Sequence, residues 1–154
     1  MKVEFVNPFL QAGSDVLIQF VGGSAEYGQL AVRSAIFTSQ ELSIVVGVSG
    51  KIKGQVIYGM STVTASKIAA AMMGTEVVTF DEMAMSAISE LGNIISGNAM
   101  TLLSDAGFTC DITPPTIVRG LAVQIATHTP ALVVPLITAC GNLDINVALQ
   151  ETEG

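Results

Sequence analysis

The clearest indication of the fold comes from one long segment, residues 79–107, which reads TFDEMAMSAISELGNIISGNAMTLLSDAG. Each residue of an α-helix turns the chain by about 100°, so apolar residues three or four positions apart form one stripe along it. In this segment the apolar stripe consists of Ala84, Ile88, Leu91, Ile95, Ala99, Leu102 and Ala106. The pattern predicts a long helix that packs along the face of a sheet.

The start of this helix carries a capping signal. Thr79 and Glu82 have capping-box spacing, in which each side chain accepts a hydrogen bond from a free backbone N–H of the first turn. Val78 and Met83 have the spacing of a hydrophobic staple across the same start. Because the segment contains no proline before Gly107, we predict a helix of about 27 residues.

The opposite face of the helix is polar. Ser86, Glu90, Asn93 and Gly97 fall within one narrow stripe, away from the apolar one. Glu90 and Asn93 are three residues apart and therefore neighbours on the helix surface, so we expect both side chains to point into solvent together. Gly97 costs about 1 kcal/mol of helix propensity, which is easier to understand if a partner must come close there. The alternative interpretation is a merely solvated acid and amide.

A second pair with the same spacing occurs near the N-terminus. Glu4 and Asn7 are also three residues apart, but Pro8 follows Asn7 directly. Because proline favours the first position of a helix, this pattern predicts Asn7 as an N-cap and Glu4 outside the helix. On this interpretation the two side chains cannot share a helix face, and the pair is set aside.

The remaining pattern predicts two further helices and several strands. One helix follows Pro8 and ends before Gly22, and a short one spans Val63–Met73, capped by Ser61 or Thr62 and closed by Gly74. Three strands are predicted between Glu26 and Ser61, including a hairpin of residues 42–50 and 52–60, and later strands at 108–112, 116–118, 121–127, 132–139 and 143–149. The predicted fold class is α+β, a two-layer α/β domain. It has a mostly antiparallel sheet, with the long helix and the two others packed on one face.

Length and composition narrow the possible functions. The chain has 154 residues, of which 50% are hydrophobic and 12% charged, with a net charge of -7. We predict a single domain, residues 1–154. The six cations are scattered, so no basic stripe is available to hold nucleic acid. The apolar runs fall well short of the roughly 18 residues that a membrane span needs, so no membrane partner is expected.

The N-terminal residues and the two cysteines indicate where the protein is located and how its cysteines behave. Residues 1–10 include Glu4, Asn7 and Pro8 where a signal peptide would be apolar, so we expect a cytoplasmic protein. Cys110 and Cys140 are interpreted as small buried residues, and neither a disulfide nor a zinc site is expected. With so few charged residues, part of the surface must be apolar. Because a homodimer would bury such a surface, the composition favours a homodimer.

The run from Ser86 to Ala99, together with Asp111 to Gly120, resembles the CheC/CheX/FliY family of chemotaxis phosphatases. In that family an Asp or Ser, a Glu four residues on and an Asn three further precede a downstream proline, and Ser86, Glu90, Asn93 and Pro115 fill these places. The likeness extends over almost the whole chain. The length and the single usable Glu-x-x-Asn copy are similar to the CheX members, whereas CheC has two such helices.

The resemblance implies a function and a division of roles. The expected substrate is a phosphorylated response-regulator receiver of the CheY type, which brings its own Mg²⁺, so this chain is expected to bind no metal or cofactor. Asn93 is expected to orient the attacking water, because an amide offers both a donor and an acceptor. Glu90 is expected to pair with the receiver's active-site lysine. Ser86 fills a family position and is expected either to take a direct part or to let the receiver dock, and Gly97 is expected to lie at the docking surface because of its cost to the helix.

Two alternatives from other functional classes stay open. The chain could be a non-catalytic module that binds receivers or flagellar-switch proteins, although the intact Glu90 and Asn93 pair argues against it. It could also be a purely structural homodimer component. The Thr113-Pro114-Pro115 stretch is interpreted as a structural turn beside the long helix rather than as a contact surface.

Overall fold

The computed structural model describes residues 3–38, 40–120 and 123–152. The helices are α1 (Val3–Val21), α2 (Thr62–Met73) and α3 (Glu82–Asp105). The strands are β1 (Glu26–Tyr27), β2 (Ala31–Arg33), β3 (Ile36–Thr38), β4 (Leu42–Gly50), β5 (Ile52–Met60), β6 (Cys110–Ile112), β7 (Thr116–Arg119), β8 (Gln124–Ala126), β9 (Ala131–Thr138) and β10 (Gly141–Glu151). No helix within these described ranges is both long and apolar enough to cross a membrane.

Eight strands form one antiparallel sheet in the order β1-β9-β10-β5-β4-β6. Strand β2 also pairs with β9, and β7 also pairs with β4, so each outer position of the sheet holds two short strands. Strands β3 and β8 pair separately. The predicted α+β class with a mostly antiparallel sheet and three helices is confirmed.

One hydrophobic core joins the three helices to the central strands. Every second residue of a strand faces the same side of the sheet, so each central strand presents a row of apolar side chains to the helices. The central strands contribute Leu42, Ile44, Val46, Val48, Ile52, Val56, Tyr58, Met60, Leu143, Ile145, Val147 and Leu149. Burial of these rows against α1, α2 and α3 holds the long helix in place on the sheet.

The hairpin and the short helix agree with the prediction. Strands β4 and β5 have the predicted bounds and pair from Leu42 with Met60 to Val48 with Gly54. Helix α2 is capped by Ser61, whose hydroxyl accepts a hydrogen bond from the Thr64 N–H at 3.1 Å, and Gly74 closes it with φ 69°. Other predicted strands differ in number or bounds. The described residues between 26 and 61 hold five strands rather than three, and β6, β7, β9 and β10 differ from their predicted bounds by one to two residues at each changed end. Of the predicted strand 121–127 the first two residues lie outside the described part of the chain.

The prediction for the first helix is wrong at its start. Helix α1 begins at Val3, so Pro8 lies inside it and Asn7 is not an N-cap. An internal proline costs about 3 kcal/mol, whereas each buried Phe or Val side chain contributes about 1.5–3 kcal/mol. Phe5 and Val6 are both buried in the core, and this burial offsets the proline. As a consequence Glu4 and Asn7 lie on one helix, and both are exposed.

The predicted capping box of the long helix is also wrong. Helix α3 begins at Glu82, and its N-cap is Asp81, whose Oδ1 accepts a hydrogen bond from the Ala84 N–H at 3.0 Å. A carboxylate suits this position because it also meets the positive end of the helix dipole. Val78 and Met83 are 88% and 67% exposed, so the predicted staple between them does not form.

The long helix ends slightly earlier than predicted. It contains 24 residues, and Ala106 is its C-cap rather than part of the buried stripe. Ala106 is exposed and Leu102 is half-buried, while Leu103 is fully buried in their place. The first five predicted stripe residues, Ala84, Ile88, Leu91, Ile95 and Ala99, are all buried.

Candidate active site

Helix α3 displays its polar stripe on the outside of the molecule. Glu90 and Asn93 are both exposed, as the helical projection predicts. Residues at this spacing have Cβ atoms about 5–6 Å apart, so the carboxylate and the amide can act on one bound group. Ser86 is exposed and Gly97 is half-exposed on the same helix. A Cβ added at Gly97 would meet nothing within 4 Å, so the surface there is open to a partner.

A second element faces Glu90 and Asn93 and completes a cleft. The segment between β6 and β7 contains Thr113, Pro114 and Pro115, which we call the proline wall. The cleft has a volume of about 380 Å³ and is lined by Ser89, Glu90, Asn93, Ile112, Thr113, Pro114 and Pro115. The family-implied residues Glu90, Asn93 and Pro115 therefore meet in one place, whereas Ser86 and Gly97 lie on the same helix outside this lining.

Glycine allows the helix to sit very close to the sheet between the two polar residues. Gly92 is buried, and a Cβ at this position would lie 2.6 Å from Ile44 Cγ2 on β4. Such a distance is far shorter than van der Waals contact, so a larger residue would force the helix or Ile44 to move. Gly92 therefore serves close packing, in contrast to Gly97.

A buried hydrogen bond connects the sheet-facing side of α3 to the sheet. The hydroxyls of Tyr58 on β5 and Ser96 on α3 are 2.7 Å apart, and both residues are fully buried. Burial raises the pKa of Tyr58, with the Ser96 hydrogen bond acting in the opposite direction, so the phenol stays protonated. The pair thus links α3 to the centre of the sheet without placing a charge in the core.

The cleft has a simple charge distribution. Among the described residues that line it, Glu90 alone carries a formal charge. A single carboxylate beside an amide favours a partner that supplies a cation next to its reacting group. Within the described ranges no group of three or more His, Cys, Asp or Glu side chains is placed to hold a metal ion.

Four residues of the cleft lining are absent from the sequence-based site, namely Ser89, Ile112, Thr113 and Pro114. Ser89 precedes Glu90 directly, and the projection places it beside the polar stripe rather than on it. The sequence pattern predicts a structural turn for Thr113 and the two prolines, and in the structure Thr113 also lines the cleft. Two consecutive prolines indicate an irregular backbone already in the sequence. Their position opposite Asn93 follows only from the pairing of β6 and β7 with β4.

The other Glu-x-x-Asn pair lies elsewhere. Glu4 and Asn7 are exposed on α1, so the expectation that they cannot share a helix face is wrong. Neither residue belongs to the lining of the cleft that Glu90 and Asn93 share. The chain therefore carries a matched pair of the same residue types and spacing outside the site.

Comparison with known proteins shows which sequences this chain is similar to. Residues 42–136 match the family described as chemotaxis phosphatase CheX. The CheY-P phosphatase CheX of Thermotoga maritima is 35% identical over 137 residues, covering 88% of each chain.

Two solved structures are similar over nearly the whole chain. The chemotaxis protein CheX of Desulfovibrio desulfuricans has a TM-score of 0.85 and 26% identity, covering 96% of this chain and 100% of that one. CheX of Borrelia burgdorferi, solved as a complex of CheX, CheY, BeF3 and Mg, has a TM-score of 0.79 and 31% identity, with 97% and 100% coverage. From the matched family, the identity and the shared fold, this chain belongs to the CheX family of chemotaxis phosphatases.

Proposed function

We propose that this protein hydrolyses the aspartyl phosphate of a phosphorylated receiver domain of the CheY class. The observation that carries the proposal is the cleft in which Glu90 and Asn93, adjacent and exposed on α3, face the proline wall. In the reaction a water oxygen attacks phosphorus, the bond to the aspartyl oxygen breaks, and the products are inorganic phosphate and a free aspartate carboxylate.

Asn93 is proposed to hold the attacking water. Its side-chain carbonyl accepts one hydrogen bond from the water and its NH₂ donates another, so the amide can fix both position and orientation. Phosphoryl transfer depends mainly on positioning and charge compensation rather than on covalent help from the protein. A rate gain of about 10²-fold, near 2.7 kcal/mol, is within what ordering one water can supply.

Glu90 is proposed to pair with the lysine next to the receiver's phosphoaspartate. A carboxylate facing the phosphate directly would repel it, but a carboxylate facing the neighbouring ammonium group gains a charge-assisted hydrogen bond. Because Glu90 is the one charged residue among the described lining of the cleft, this pairing gives the docked receiver a defined orientation. Ser86 and Gly97, on the same helix, are proposed to contact the docked receiver.

The relatives support the substrate class. The Thermotoga maritima relative is named for its action on CheY-P, and the Borrelia burgdorferi relative was solved with CheY and Mg. We therefore propose that Mg²⁺ is carried by the receiver and that this chain supplies no metal ligand or cofactor. A receiver substrate also agrees with the cytoplasmic location expected from the sequence.

The test is a phosphate-release assay on a phosphorylated receiver with matched pairs of variants. We expect Asn93→Ala and Glu90→Ala to return the decay to the receiver's spontaneous rate, with unfolding temperatures unchanged because both side chains are exposed. Glu4→Ala and Asn7→Ala, the same changes on α1, are the controls and should keep the parental rate.

Three results would contradict the proposal. An Asn93→Ala variant that dephosphorylates as fast as the parent would remove the proposed mechanism. Loss of activity in Asn7→Ala would place the chemistry on α1 instead. Binding of the receiver without faster phosphate release would favour the alternative of a non-catalytic receiver- or flagellar-switch-binding module.

A homodimer is proposed as the assembled form. Four large apolar residues in and between β1, β2 and β3 are exposed, namely Tyr27, Leu30, Val32 and Ile36. Val32, 71% exposed, lies on β2 at the outer position of the sheet, where unpaired backbone groups can accept another strand. Light scattering should give a dimer for the parent and a monomer for Val32→Asp. A monomeric parent at micromolar concentration would contradict this expectation.

A further inference from the structure

Both sides of the cleft are fixed to the same strand, β4. Helix α3 contacts it where Gly92 lies against Ile44, between Glu90 and Asn93 in sequence. The proline wall contacts it three residues further along, at Gly47. The distance between the wall and the polar side chains is therefore set through one rigid element.

The wall is a bulge in the edge of the sheet. In the pairing with β4, Val48 is opposite Ile112 and Val45 is opposite Thr116. Two residues of β4 thus face the three residues of the proline wall, which is one residue too many for regular pairing. Extra residues of this kind bend a strand out of the ladder and redirect its side chains.

One residue supplies the attachment of this bulge to β4. The Gly47 N–H donates to Thr113 Oγ1 at 2.8 Å, and the Thr113 N–H donates to the Gly47 carbonyl oxygen at 2.9 Å. Pro114 and Pro115 have no N–H, so neither can donate a backbone hydrogen bond to the strand. Gly47 permits the close approach, since a Cβ there would lie 3.0 Å from Thr113 Cγ2.

We propose that Thr113 is a positioning residue for the phosphatase reaction, and that its hydroxyl holds the proline wall at a fixed distance from Asn93. This inference rests on the proposed function. With Oγ1 removed, the Gly47 N–H turns to water, because this bond is exposed, and the wall keeps one of its two hydrogen bonds to β4. A receiver docked against a looser wall presents its phosphate to Asn93 less accurately, and in-line attack is sensitive to displacements of a fraction of an ångström.

The experiment compares two threonines of the same segment. Thr113→Val keeps the shape and removes the hydroxyl, and Thr113→Ser keeps the hydroxyl. Thr116→Val makes the same change on β7, at a threonine that is exposed, as Thr113 is. For each variant, kcat and KM are measured on a phosphorylated CheY-class receiver, and thermal unfolding is followed in parallel. We expect Thr113→Val to lower kcat about tenfold with KM changed less than about twofold. Thr113→Ser and Thr116→Val should keep the parental kcat.

The outcomes separate this inference from the function on which it rests. If the parent does not accelerate dephosphorylation, the proposed function fails, and the positioning role fails with it. If the parent is active and Thr113→Val has the parental kcat, the positioning role alone is overturned. It is also overturned if Thr113→Ser loses as much kcat as Thr113→Val, or if the loss in Thr113→Val matches a smaller folded fraction.

Discussion

The Tyr58 hydroxyl lies 2.7 Å from the Ser96 hydroxyl, beneath the helix turn that exposes Asn93. Tyr58 belongs to β5 at the centre of the sheet, and Ser96 is three residues after Asn93 on α3. A helix packed only through apolar side chains can rotate slightly about its axis at low cost, whereas a buried polar pair has one favourable geometry. The pair therefore orients the face that carries the candidate site.

Removing either hydroxyl should cost stability. Tyr58→Phe leaves Ser96 Oγ buried without this partner, and Ser96→Ala does the same to the phenol, so each should lower the free energy of unfolding by about 1–3 kcal/mol. The double variant should lose less than the sum, because no orphaned group remains. Urea unfolding of the four proteins measures this coupling.

An exposed tyrosine supplies the control for this prediction. The Tyr27 hydroxyl donates to the Leu10 carbonyl oxygen at 3.1 Å in an exposed position, where water can replace the bond. Tyr27→Phe should change the free energy of unfolding by no more than about 0.5 kcal/mol. Equal losses in Tyr58→Phe and Tyr27→Phe, or strict additivity in the double variant, would argue against a special role for the buried pair.

The N-cap of α3 can be assigned by substitution. Asp81→Ala removes the carboxylate that accepts from the Ala84 N–H, and should lower the free energy of unfolding by about 1 kcal/mol. Thr79→Ala, at the position that the capping-box pattern singles out, should change it by less than about 0.5 kcal/mol. Thermal unfolding of the two variants distinguishes the assignments, and the reverse order of effects would favour the sequence pattern.

Periodicity was sufficient for the elements that carry the site. The 3.6-residue repeat identified the buried face of α3 and the exposed positions of Glu90 and Asn93, because helix geometry converts spacing directly into direction. The β4–β5 hairpin was equally clear, since two alternating apolar runs flank a short turn. These features depend on neighbours in sequence, which is why they could be predicted.

Features that depend on distant residues could not be predicted in this way. Asn7 followed by Pro8 favours a helix start at this point. Because Phe5 and Val6 are buried, however, α1 begins further toward the N-terminus, at Val3. The position of the proline wall depends on pairing between β4 and residues more than sixty positions later. Periodicity locates a strand without naming its partner, so the cleft and the role of Thr113 become visible only in the folded chain.

We expect the stability of the protein to depend on pH, because one carboxylate, that of Asp144, is largely buried. Asp144 on β10 is 15% exposed, lies 3.7 Å from Arg33, and accepts a hydrogen bond from the Gln40 amide. Burial raises the pKa of Asp144, and Arg33 and Gln40 reduce that rise without cancelling it. Between the ordinary pKa and the raised one, the folded state keeps a proton that the unfolded state has lost. The free energy of unfolding therefore falls as pH rises through this window.

The measurement for Asp144 is urea unfolding at a series of pH values. Asn resembles the protonated acid, so the parent should gain stability relative to Asp144→Asn as the pH is lowered toward about 4. Asp15→Asn, at an exposed position on α1, controls for the general effect of removing one negative charge. The assignment would be contradicted if the stability of the parent relative to Asp144→Asn stayed flat with pH, or if it increased as the pH rises.

The two glycines of α3 should respond oppositely to alanine. Glycine inside a helix costs about 0.5–1 kcal/mol relative to alanine, so Gly97→Ala, with open space around the new Cβ, should stabilise the protein by that amount. Gly92→Ala gains the same propensity, but its Cβ would lie 2.6 Å from Ile44 Cγ2. Overpacking of a core typically costs about 1–3 kcal/mol, and Ile44 is β-branched and fully buried, so we expect a net loss of stability.

The same two variants separate packing from docking. If a receiver approaches closely at Gly97, then Gly97→Ala should raise the KM for the phosphorylated receiver although the protein itself is more stable. Gly92→Ala shifts the helix turn that carries Glu90 and Asn93, so it should lower kcat along with stability. Unfolding in urea and steady-state dephosphorylation kinetics give both readouts on each variant. An unchanged KM in Gly97→Ala would remove Gly97 from the docking surface, and a stabilised Gly92→Ala would mean that α3 can move away from β4 at little cost.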